Sequence, residues 1–428
     1  MRRASRKKKS KFLNWFSALT KLKKTALILA VLLIISAGAA GATAYWYYHR
    51  ISNLDRMFPD LNWQGDEYGE DFPDVDEVFD GRVLNILLMG FDRNEARDDI
   101  YAAFRPDTLM VAAINLDTGQ VDLVSLPRDT LVPIYDRRGG RDKINHSYYY
   151  GWSSRITGIT DPQLRHQSGL NSVVETVSMA LKGVPIHYYV SICMDGVVEV
   201  VNIMGGVWYD VESNIYSNDG RLLVEEGYQR LNGLEFLYYV RNRQFEEGDV
   251  QRVQNQQDIL IAAFDQFKKA NKLVYAPQVY TSMRNNLETD LSLDQIAALA
   301  LFATRNISSG NIHTHTIPGE FRYGRVHEGQ ASVNIYYIID QQGRATLLKQ
   351  VWGLNVAPDA TDQLLPRRDP DDEPSDDSPD LPLEEEPPDD DPADYENNGE
   401  NDSESENEES NGDTDDEENG EEAGNDDQ

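Results

Sequence analysis

Acidic and basic side chains stand together where three predicted strands begin or end. They are Asp92, Arg105, Asp107, Arg128 and Asp129. Loops at the ends of neighbouring strands can converge, and converging carboxylates suit a hard cation such as Mg²⁺. An aspartate at a strand end is by itself a common turn residue. The prediction of a magnesium site therefore depends on the three acids occurring together.

A second polar cluster lies further along the chain, near the junction of two predicted helices. Its members are Arg241, Arg243, Arg252 and Gln256. Arg252 and Gln256 are four residues apart and share one face of a helix. Guanidinium groups bind phosphate oxygens in pairs of parallel hydrogen bonds. This cluster predicts a site for an anion that carries several negative charges.

The elements that must position these residues alternate between strand and helix patterns. The apolar run 83–90 is typical of a strand buried on both faces. Residues 108–115 and 120–126 are separated by Asp117, Thr118 and Gly119, which predicts a hairpin. Helical spacing of apolar residues follows at 170–181, and alternation typical of a strand at 187–193. Further helices are predicted at 196–204, 232–240, 250–270 and 293–305. We expect an α/β fold with a mixed central β-sheet flanked by helices.

Charge is distributed very unevenly along the 428 residues. The chain has 40 Lys and Arg against 73 Asp and Glu, but residues 369–428 contain 30 of the acids and no base. The first 24 residues contain ten bases and no acid. Outside this basic start the chain is acidic, which excludes nucleic acid as a partner because phosphate binding needs a basic surface. A single cysteine, Cys193, excludes an intramolecular disulfide and a cysteine-based zinc site.

An apolar segment near the start of the chain predicts a membrane anchor. Residues 25–44 carry no charge, and about 20 apolar residues are enough to cross a bilayer as a helix. Aromatic residues follow at 45–48, and the ten bases precede the segment, which places the N-terminus in the cytoplasm. A cleaved signal peptide is the alternative, because small residues at 40–44 resemble a cleavage site. Either interpretation places the remainder of the chain outside the cytoplasm.

These patterns divide the chain into five parts. The tail is too polar to bury enough surface to fold, so we expect it to be disordered. The parts are a basic cytoplasmic segment (1–24), a transmembrane helix (25–48), a stalk (49–81), an extracellular folded domain (82–360) and a disordered acidic tail (361–428).

Six segments of the sequence, taken in their order along the chain, resemble those of a known family. They are NILLMGFD, RPDTLMVAAINLDTGQVDLVSLPRDTLVPI, DKINHSYYYG, MGGVWYDV, GYQRLNGLEFLYYVRNR and GDVQRVQNQQDIL. Together they span about residues 83–270, and the chain resembles the LytR-CpsA-Psr family of cell-wall enzymes. The resemblance implies a magnesium-dependent phosphotransferase at the cell membrane. Such an enzyme moves an anionic glycopolymer from a polyprenyl-pyrophosphate carrier to peptidoglycan, forms a phosphodiester and releases polyprenyl phosphate.

The resemblance also implies roles for single residues. Asp92 and Asp107 are the implied metal ligands, and either is a candidate base for the acceptor hydroxyl. Asp129 is implied to orient the arginine beside it or the neighbours of that arginine. The implied pyrophosphate ligands are Arg105, Arg128, Arg241, Arg243, Arg252 and Gln256, and the catalytic set is Asp92, Asp107, Arg128 and Asp129. Asn255 departs from the family, which often has a second arginine there.

A polyprenyl tail needs an apolar cleft. The candidates to line it are Leu87, Met89, Ile192, Met194, Phe264 and Phe267, which are equally suited to a plain core.

Two other functions use the same residues. Water in place of the sugar hydroxyl would make the protein a pyrophosphate hydrolase, and binding without turnover would make it a regulator of the envelope. Teichoic acid and capsule polymers present the same pyrophosphate, so the sequence leaves the donor open.

Overall fold

The computed structural model describes residues 20–59, 61, 82–91, 105–137, 140–217, 219–242, 249–284, 286–326 and 333–359. Asp92, Arg243 and the acidic tail lie outside these residues, as does most of the stalk. The helices are α1 Lys21–Ile51, α2 Leu54–Met57, α3 Ser147–Trp152, α4 Ser154–Thr157, α5 Pro162–Ala180, α6 Met194–Met204, α7 Gly233–Arg241, α8 Asp249–Lys269, α9 Ala276–Ser282, α10 Leu293–Asn306 and α11 Gln341–Trp352.

The strands are β1 Val83–Phe91, β2 Pro106–Asn115, β3 Val121–Ser125, β4 Leu131–Pro133, β5 Arg141–Lys143, β6 Tyr188–Cys193, β7 Val207–Val211, β8 Ile215–Tyr216, β9 Leu222–Val224, β10 Gly227–Leu231, β11 Leu287–Thr289, β12 Ile312–Thr316, β13 Gly319–Gly324 and β14 Asn334–Ile339.

A mixed six-stranded sheet lies at the centre of the fold, in the order β11-β6-β1-β2-β3-β12. Strands β6, β1, β3 and β12 run in one direction, whereas β2 and β11 run in the other. The carboxyl ends of four strands therefore meet at one edge of the sheet, together with the start of β2. The predicted α/β class and mixed central sheet are confirmed.

The hairpin between β2 and β3 forms at the predicted residues. The side chain of Asn115 accepts hydrogen bonds from the backbone N–H groups of Asp117 and Thr118, at 3.0 and 2.9 Å. Gly119 has φ +74°, a left-handed conformation that glycine adopts without a steric penalty. The Asx turn and this glycine reverse the chain and set the register in which Met110 faces Ser125.

The two faces of the sheet bury separate apolar cores. Leu87, Met89 and Phe91 of β1 point into one core, which α5 and α11 cover. Leu84 and Ile86 point into the other core, beneath α10. This alternation follows from the two-residue period of a strand. It explains why β1 is apolar at nearly every position.

A third apolar cluster lies where α6, α7 and α8 pack with the small strands β7 to β10. Asn232 and Glu235 form a capping box at the start of α7. The helices predicted at 196–204, 232–240, 250–270 and 293–305 correspond to α6, α7, α8 and α10, with ends that differ by at most two residues.

Helix α1 covers the segment predicted to cross the membrane. Its last turns contact α10: Arg50 Nη2 lies 2.8 Å from Asp294 Oδ2, and the Tyr47 hydroxyl donates to Asp294 Oδ1 at 3.2 Å. Among the residues that the structure describes, no helix was found with both the length and the apolar character of a membrane span.

Candidate active site

Arg128 and Asp107 form an ion pair at the edge of the sheet where four strands end. Arg128 Nη1 donates to Asp107 Oδ1 at 2.7 Å, and both side chains are largely buried, with 13% and 23% of their surface exposed. Asp107 is the second residue of β2, and Arg128 follows β3 by three residues. The antiparallel pairing of β2 with β3 therefore brings these two predicted site residues together.

Asp129 lies between two cations. Its Oδ1 is 2.7 Å from Lys143 Nζ, and its Oδ2 is 3.6 Å from Arg128 Nε. At the second distance the two groups form an ion pair, but they are too far apart for a good hydrogen bond. Asp129 thus contacts Arg128, the arginine that the resemblance implies it orients. Lys143 belongs to the DKIN segment, but the sequence interpretation gave this lysine no role.

Backbone hydrogen bonds hold the arginine loop in place. Asn145 N donates to Arg128 O at 3.2 Å, and Ile144 N donates to Thr130 O at 2.8 Å. On the other side, Tyr337 N donates to Asp129 O at 2.9 Å. These hydrogen bonds fix the backbone of the loop on both sides. The side chains of Arg128 and Asp129 are therefore attached to a rigid backbone.

Asp142 anchors the DKIN segment beneath the site. Its carboxylate accepts from Arg137 Nη1 at 2.9 Å and from the Tyr150 hydroxyl at 2.8 Å, and lies 3.0 Å from His146 Nδ1. Burial raises the pKa of Asp142, but the contacts with His146, Tyr150 and the Lys143 N–H outweigh it and hold the pKa well below its usual range. Asp142 therefore stays ionised and fixes the strand that carries Lys143.

The second predicted cluster reaches the same sheet edge through α8. Gln257 Nε2 donates to Ser125 Oγ at 2.7 Å and to His315 O at 3.0 Å, so α8 is docked on the ends of β3 and β12. Its neighbour Gln256 donates to Val240 O at 2.9 Å, which ties α8 to α7. Arg241 is the last residue of α7 and is half-buried.

The structure describes some of the remaining predicted ligands and not others. Arg105 precedes β2 directly and is exposed to solvent at the sheet edge. Arg252 lies in α8, but its side chain falls outside the described residues, as do Asp92 and Arg243 entirely.

A cavity of about 480 Å³ lies between the segment that precedes Arg128 and helix α8. Pro127, which precedes Arg128, and Val253, which follows Arg252, both line it. The rest of its wall comes from residues 316–321 and Tyr337. The two arginine-bearing segments therefore flank one space, large enough for a sugar or phosphate group.

Two amides of α8 are buried: Asn255, which the sequence interpretation named only as a departure from the family, and Gln257, which it did not name. Asn255 and Gln257 are 4% and 1% exposed. Asn255 Nδ2 is buried and has no hydrogen-bond partner among the residues that the structure describes. No pattern in the sequence separates these amides from the exposed polar residues of the same helix.

An apolar cavity of about 280 Å³ lies on the α10 side of the sheet. Of the candidates for an apolar cleft, Phe264 lines this cavity, whereas Leu87 and Met89 are buried in the core on the opposite face of β1, as in the plain-core alternative. Leu88, which faces the other side of the sheet, is the residue of β1 that lines the cavity. The full lining is Leu88, Ile114, Val121, Leu123, Leu260, Ile261, Phe264, Leu299, Phe302, Ala303, Ile307 and Ile312.

The described carboxylates fit a magnesium ion only in part. No group of three His, Cys, Asp or Glu side chains is placed to hold a metal within the described ranges. Magnesium needs only one or two carboxylates when phosphate oxygens and water complete its shell. Asp107 supplies one carboxylate at the sheet edge, and Asp92, one residue beyond Phe91 of β1, follows the neighbouring strand.

Several known proteins are similar to this chain in sequence or in fold. The chain is 32% identical over 261 residues to a polyisoprenyl-teichoic acid–peptidoglycan teichoic acid transferase, TagU, of Halalkalibacterium halodurans, covering 60% of this chain and 74% of the relative. It is 28% identical over 329 residues to the TagU of Oceanobacillus iheyensis, covering 75% and 92%. A crystal structure of a Streptococcus agalactiae protein matches with a TM-score of 0.50 at 21% identity, over 63% of this chain and 86% of that one, which supports the fold alone.

The model of the LytR_cpsA_psr family matches residues 66–351, about two thirds of the chain. The match includes the ion pair at the sheet edge, the DKIN segment and the start of α8. The chain belongs to the LytR-CpsA-Psr family.

Proposed function

We propose that this protein transfers an anionic glycopolymer from a polyprenyl-pyrophosphate carrier to a hydroxyl of peptidoglycan. The observation that carries the proposal is the Arg128–Asp107 pair at the sheet edge, with Asp129 and Lys143 beside it. The relatives of similar sequence are named as teichoic acid transferases. A teichoic acid or a chemically similar polymer is therefore the proposed donor.

The proposed reaction exchanges one bond to phosphorus for another. The acceptor oxygen attacks the phosphorus that carries the glycan, and the bond from that phosphorus to the bridging oxygen breaks. Polyprenyl phosphate leaves, and a phosphodiester joins glycan to peptidoglycan. The hydroxyl proton passes to a carboxylate, for which Asp92 and Asp107 are the two candidates.

The arginines supply the positive charge that this reaction needs. Negative charge is spread over the phosphate oxygens in the transition state, and fixed donors stabilise it without having to reorganise. Arg128 is held by Asp107 and by a rigid backbone, so its guanidinium is preorganised. Arg105, Arg241, Arg243, Arg252 and Gln256 are the further proposed ligands of the pyrophosphate.

Magnesium is the proposed cofactor, with Asp92 and Asp107 as its ligands. The ion would neutralise pyrophosphate charge when bound. Asp107 already contacts Arg128, so one carboxylate would link a metal to a phosphate-binding arginine.

The apolar cavity beneath α10 is the proposed site for the start of the prenyl chain. It is lined almost entirely by carbon atoms of twelve apolar residues, including Leu88 of β1. Strand β1 also leads to the sheet edge, so a lipid in this cavity and a pyrophosphate at the edge lie along one strand.

Helix α1 is the proposed membrane anchor, with the N-terminus in the cytoplasm and the catalytic domain outside. Its 31 residues have a length of about 46 Å as a helix. Residues 25–44 within it carry no charge. Extraction of the full-length protein from membranes by detergent, but not by high salt or alkali, is the expected result; release by alkali would contradict the anchor.

One product assay separates transfer from its alternatives. The purified full-length protein is incubated with a synthetic polyprenyl-pyrophosphate glycan, peptidoglycan fragments and Mg²⁺, and the products are identified by mass. A glycan–phosphate–peptidoglycan adduct is expected. Free glycan phosphate alone would identify a hydrolase, and bound lipid without any product would identify a regulator.

A further inference from the structure

The last two turns of the proposed anchor helix α1 are docked on helix α10. Arg50 forms an ion pair with Asp294, and the Tyr47 hydroxyl donates to the same carboxylate. The guanidinium of Arg305, in the last turn of α10, lies 5.1 Å from the centre of the Tyr48 ring. Contacts at both ends of α10 therefore fix α1 against it.

The residues that follow α1 belong to the core of the domain. Ile51, Met57, Phe58 and Leu61 are all at most 9% exposed and pack in the apolar core beneath α10. Gln295 of α10 donates to Met57 O at 3.0 Å, which holds the turn after α1 in place. Over residues 45–59, the chain thus passes from the anchor helix directly into the core.

The earlier part of α1 projects away from this junction. Leu32, Leu33 and Ile35 are each more than half exposed. Tyr45 and Trp46, at the end of the apolar segment, are 71% and 59% exposed. Exposed aromatic rings at the end of an apolar helix are typical of the interface between bilayer and water. Because α10 contacts the next turn of α1, this position of the rings places α10 at the bilayer surface.

Helix α10 separates the anchor from the apolar cavity. Asp294 and Arg305 are eleven residues apart, close to three full turns, so they share the face of α10 that contacts α1. Leu299 and Ala303 line the cavity from roughly the opposite side of the same helix. A helix with its side chains is roughly 10 Å across. The cavity wall therefore lies about one helix diameter from the anchor.

The other side of the cavity is formed by α8. Leu260 and Phe264, one turn apart on α8, both line it, and Leu260 is 39% exposed. This partly exposed leucine marks the side on which the cavity opens, between α8 and α10. The opening is therefore bordered by apolar side chains, which suits a hydrocarbon chain.

We propose that the folded domain is docked on α1 in one fixed orientation, in which α10 and the neighbouring edge of α8 rest on the lipid bilayer. The cavity then opens towards the membrane, and the prenyl chain of the donor passes from the bilayer into it without crossing water. This inference rests on the proposed anchor and the proposed lipid site. Asp294 holds the orientation, because it contacts both Arg50 and Tyr47.

The test measures how close two positions of the full-length protein lie to the membrane in liposomes of phosphatidylglycerol and phosphatidylethanolamine. A fluorescent probe is attached at Leu260→Cys or at Gln350→Cys, in a Cys193→Ser background that removes the one native cysteine. Lipids with a nitroxide at the headgroup quench the probe. Gln350 is the control position, because it is exposed on α11, which covers the opposite face of the sheet. Quenching should be severalfold stronger at Leu260 than at Gln350.

A docking variant tests what fixes the orientation. Asp294→Ala removes both contacts to α1, and a flexible Gly and Ser linker inserted after Ser52 frees the domain from the helix. This variant should lose most of the difference in quenching. Its transfer from a long-chain donor in liposomes should be severalfold slower, while its rate with a short-chain donor in solution stays unchanged. Glu226→Ala removes an exposed acid between β9 and β10 and should have neither effect.

Two results would overturn the inference and leave the anchor intact. One is equal quenching at Leu260 and Gln350 in a protein that alkali does not extract, and the other is a docking variant with the quenching and rates of the wild type. Release of the wild-type protein from liposomes by alkali would contradict the anchor and, with it, the inference. The comparison of the two probe positions needs neither the docking variant nor observed transfer.

Discussion

Lys143 Nζ lies 2.7 Å from Asp129 Oδ1, and Arg128 Nε lies 3.6 Å from the other oxygen of the same carboxylate. We therefore expect Asp129 to orient Arg128 while Lys143 holds the carboxylate from the opposite side. Lys143 would then influence the proposed reaction by positioning Arg128 through Asp129.

Replacement of Lys143 by Met should lower both stability and transfer. Asp129 would lose a buried ionic hydrogen bond, at a cost of about 2 kcal/mol in the free energy of unfolding. The rate of transfer should fall roughly tenfold, mainly in kcat, because Arg128 is less well oriented. Denaturant titration and initial rates measure the two effects. Lys349→Met is the matched control, and an equal effect there would remove the positioning role.

Replacement of Arg128 by Lys keeps the positive charge but removes the planar guanidinium group with its paired N–H donors. One ammonium cannot bind Asp107 and a phosphate with the geometry of a guanidinium, so transfer should fall by about a hundredfold. The circular dichroism spectrum and Tm should stay close to those of the wild type. A lysine variant with more than half of the wild-type rate would show that Arg128 contributes only charge.

The Asp142 cluster should make stability depend on pH in the acid range. The folded pKa of Asp142 is depressed below the ordinary value of 3.8, so its contribution is present above that value and is lost as the pH falls towards the folded pKa. Asp142→Asn should remove about 2 kcal/mol of stability at pH 7. Its loss of stability below about pH 4 should also be less steep than in the wild type. Unfolding curves between pH 2 and 7 measure this, and parallel curves would contradict it.

Filling the apolar cavity should distinguish donors by the length of the prenyl chain. Ala303→Leu adds carbon atoms to the wall of the 280 Å³ cavity without introducing a polar group. The KM of a long-chain donor should rise about tenfold, while that of a short-chain donor stays unchanged. Equal effects on both donors would mean that the lipid does not enter this cavity.

Much of the fold was accessible from the sequence because its signals are local. The Asx turn at Asn115 and the left-handed Gly119 determine the β2–β3 hairpin, and the helical periods located α6, α7, α8 and α10. The segments that pair Asp107 with Arg128 are adjacent strands of that hairpin. Their contact therefore needed no long-range information.

Other features depended on contacts that no local pattern encodes. The sequence of a strand that is apolar on both faces does not show which residues face which core. It therefore could not show that Leu88, and not Leu87 or Met89, faces the apolar cavity. Lys143 contacts Asp129 only because β4 and β5 pair in one register.

The most direct test of the central claim follows one phosphorus atom. The donor is prepared with ³²P only in the phosphate attached to the glycan, and is incubated with peptidoglycan fragments and the full-length protein. Transfer at the Arg128 site predicts that the label appears in the peptidoglycan product, that unlabelled polyprenyl phosphate is released, and that Arg128→Ala abolishes both. Label that remains with the lipid, or an Arg128→Ala protein that still labels peptidoglycan, would contradict the account.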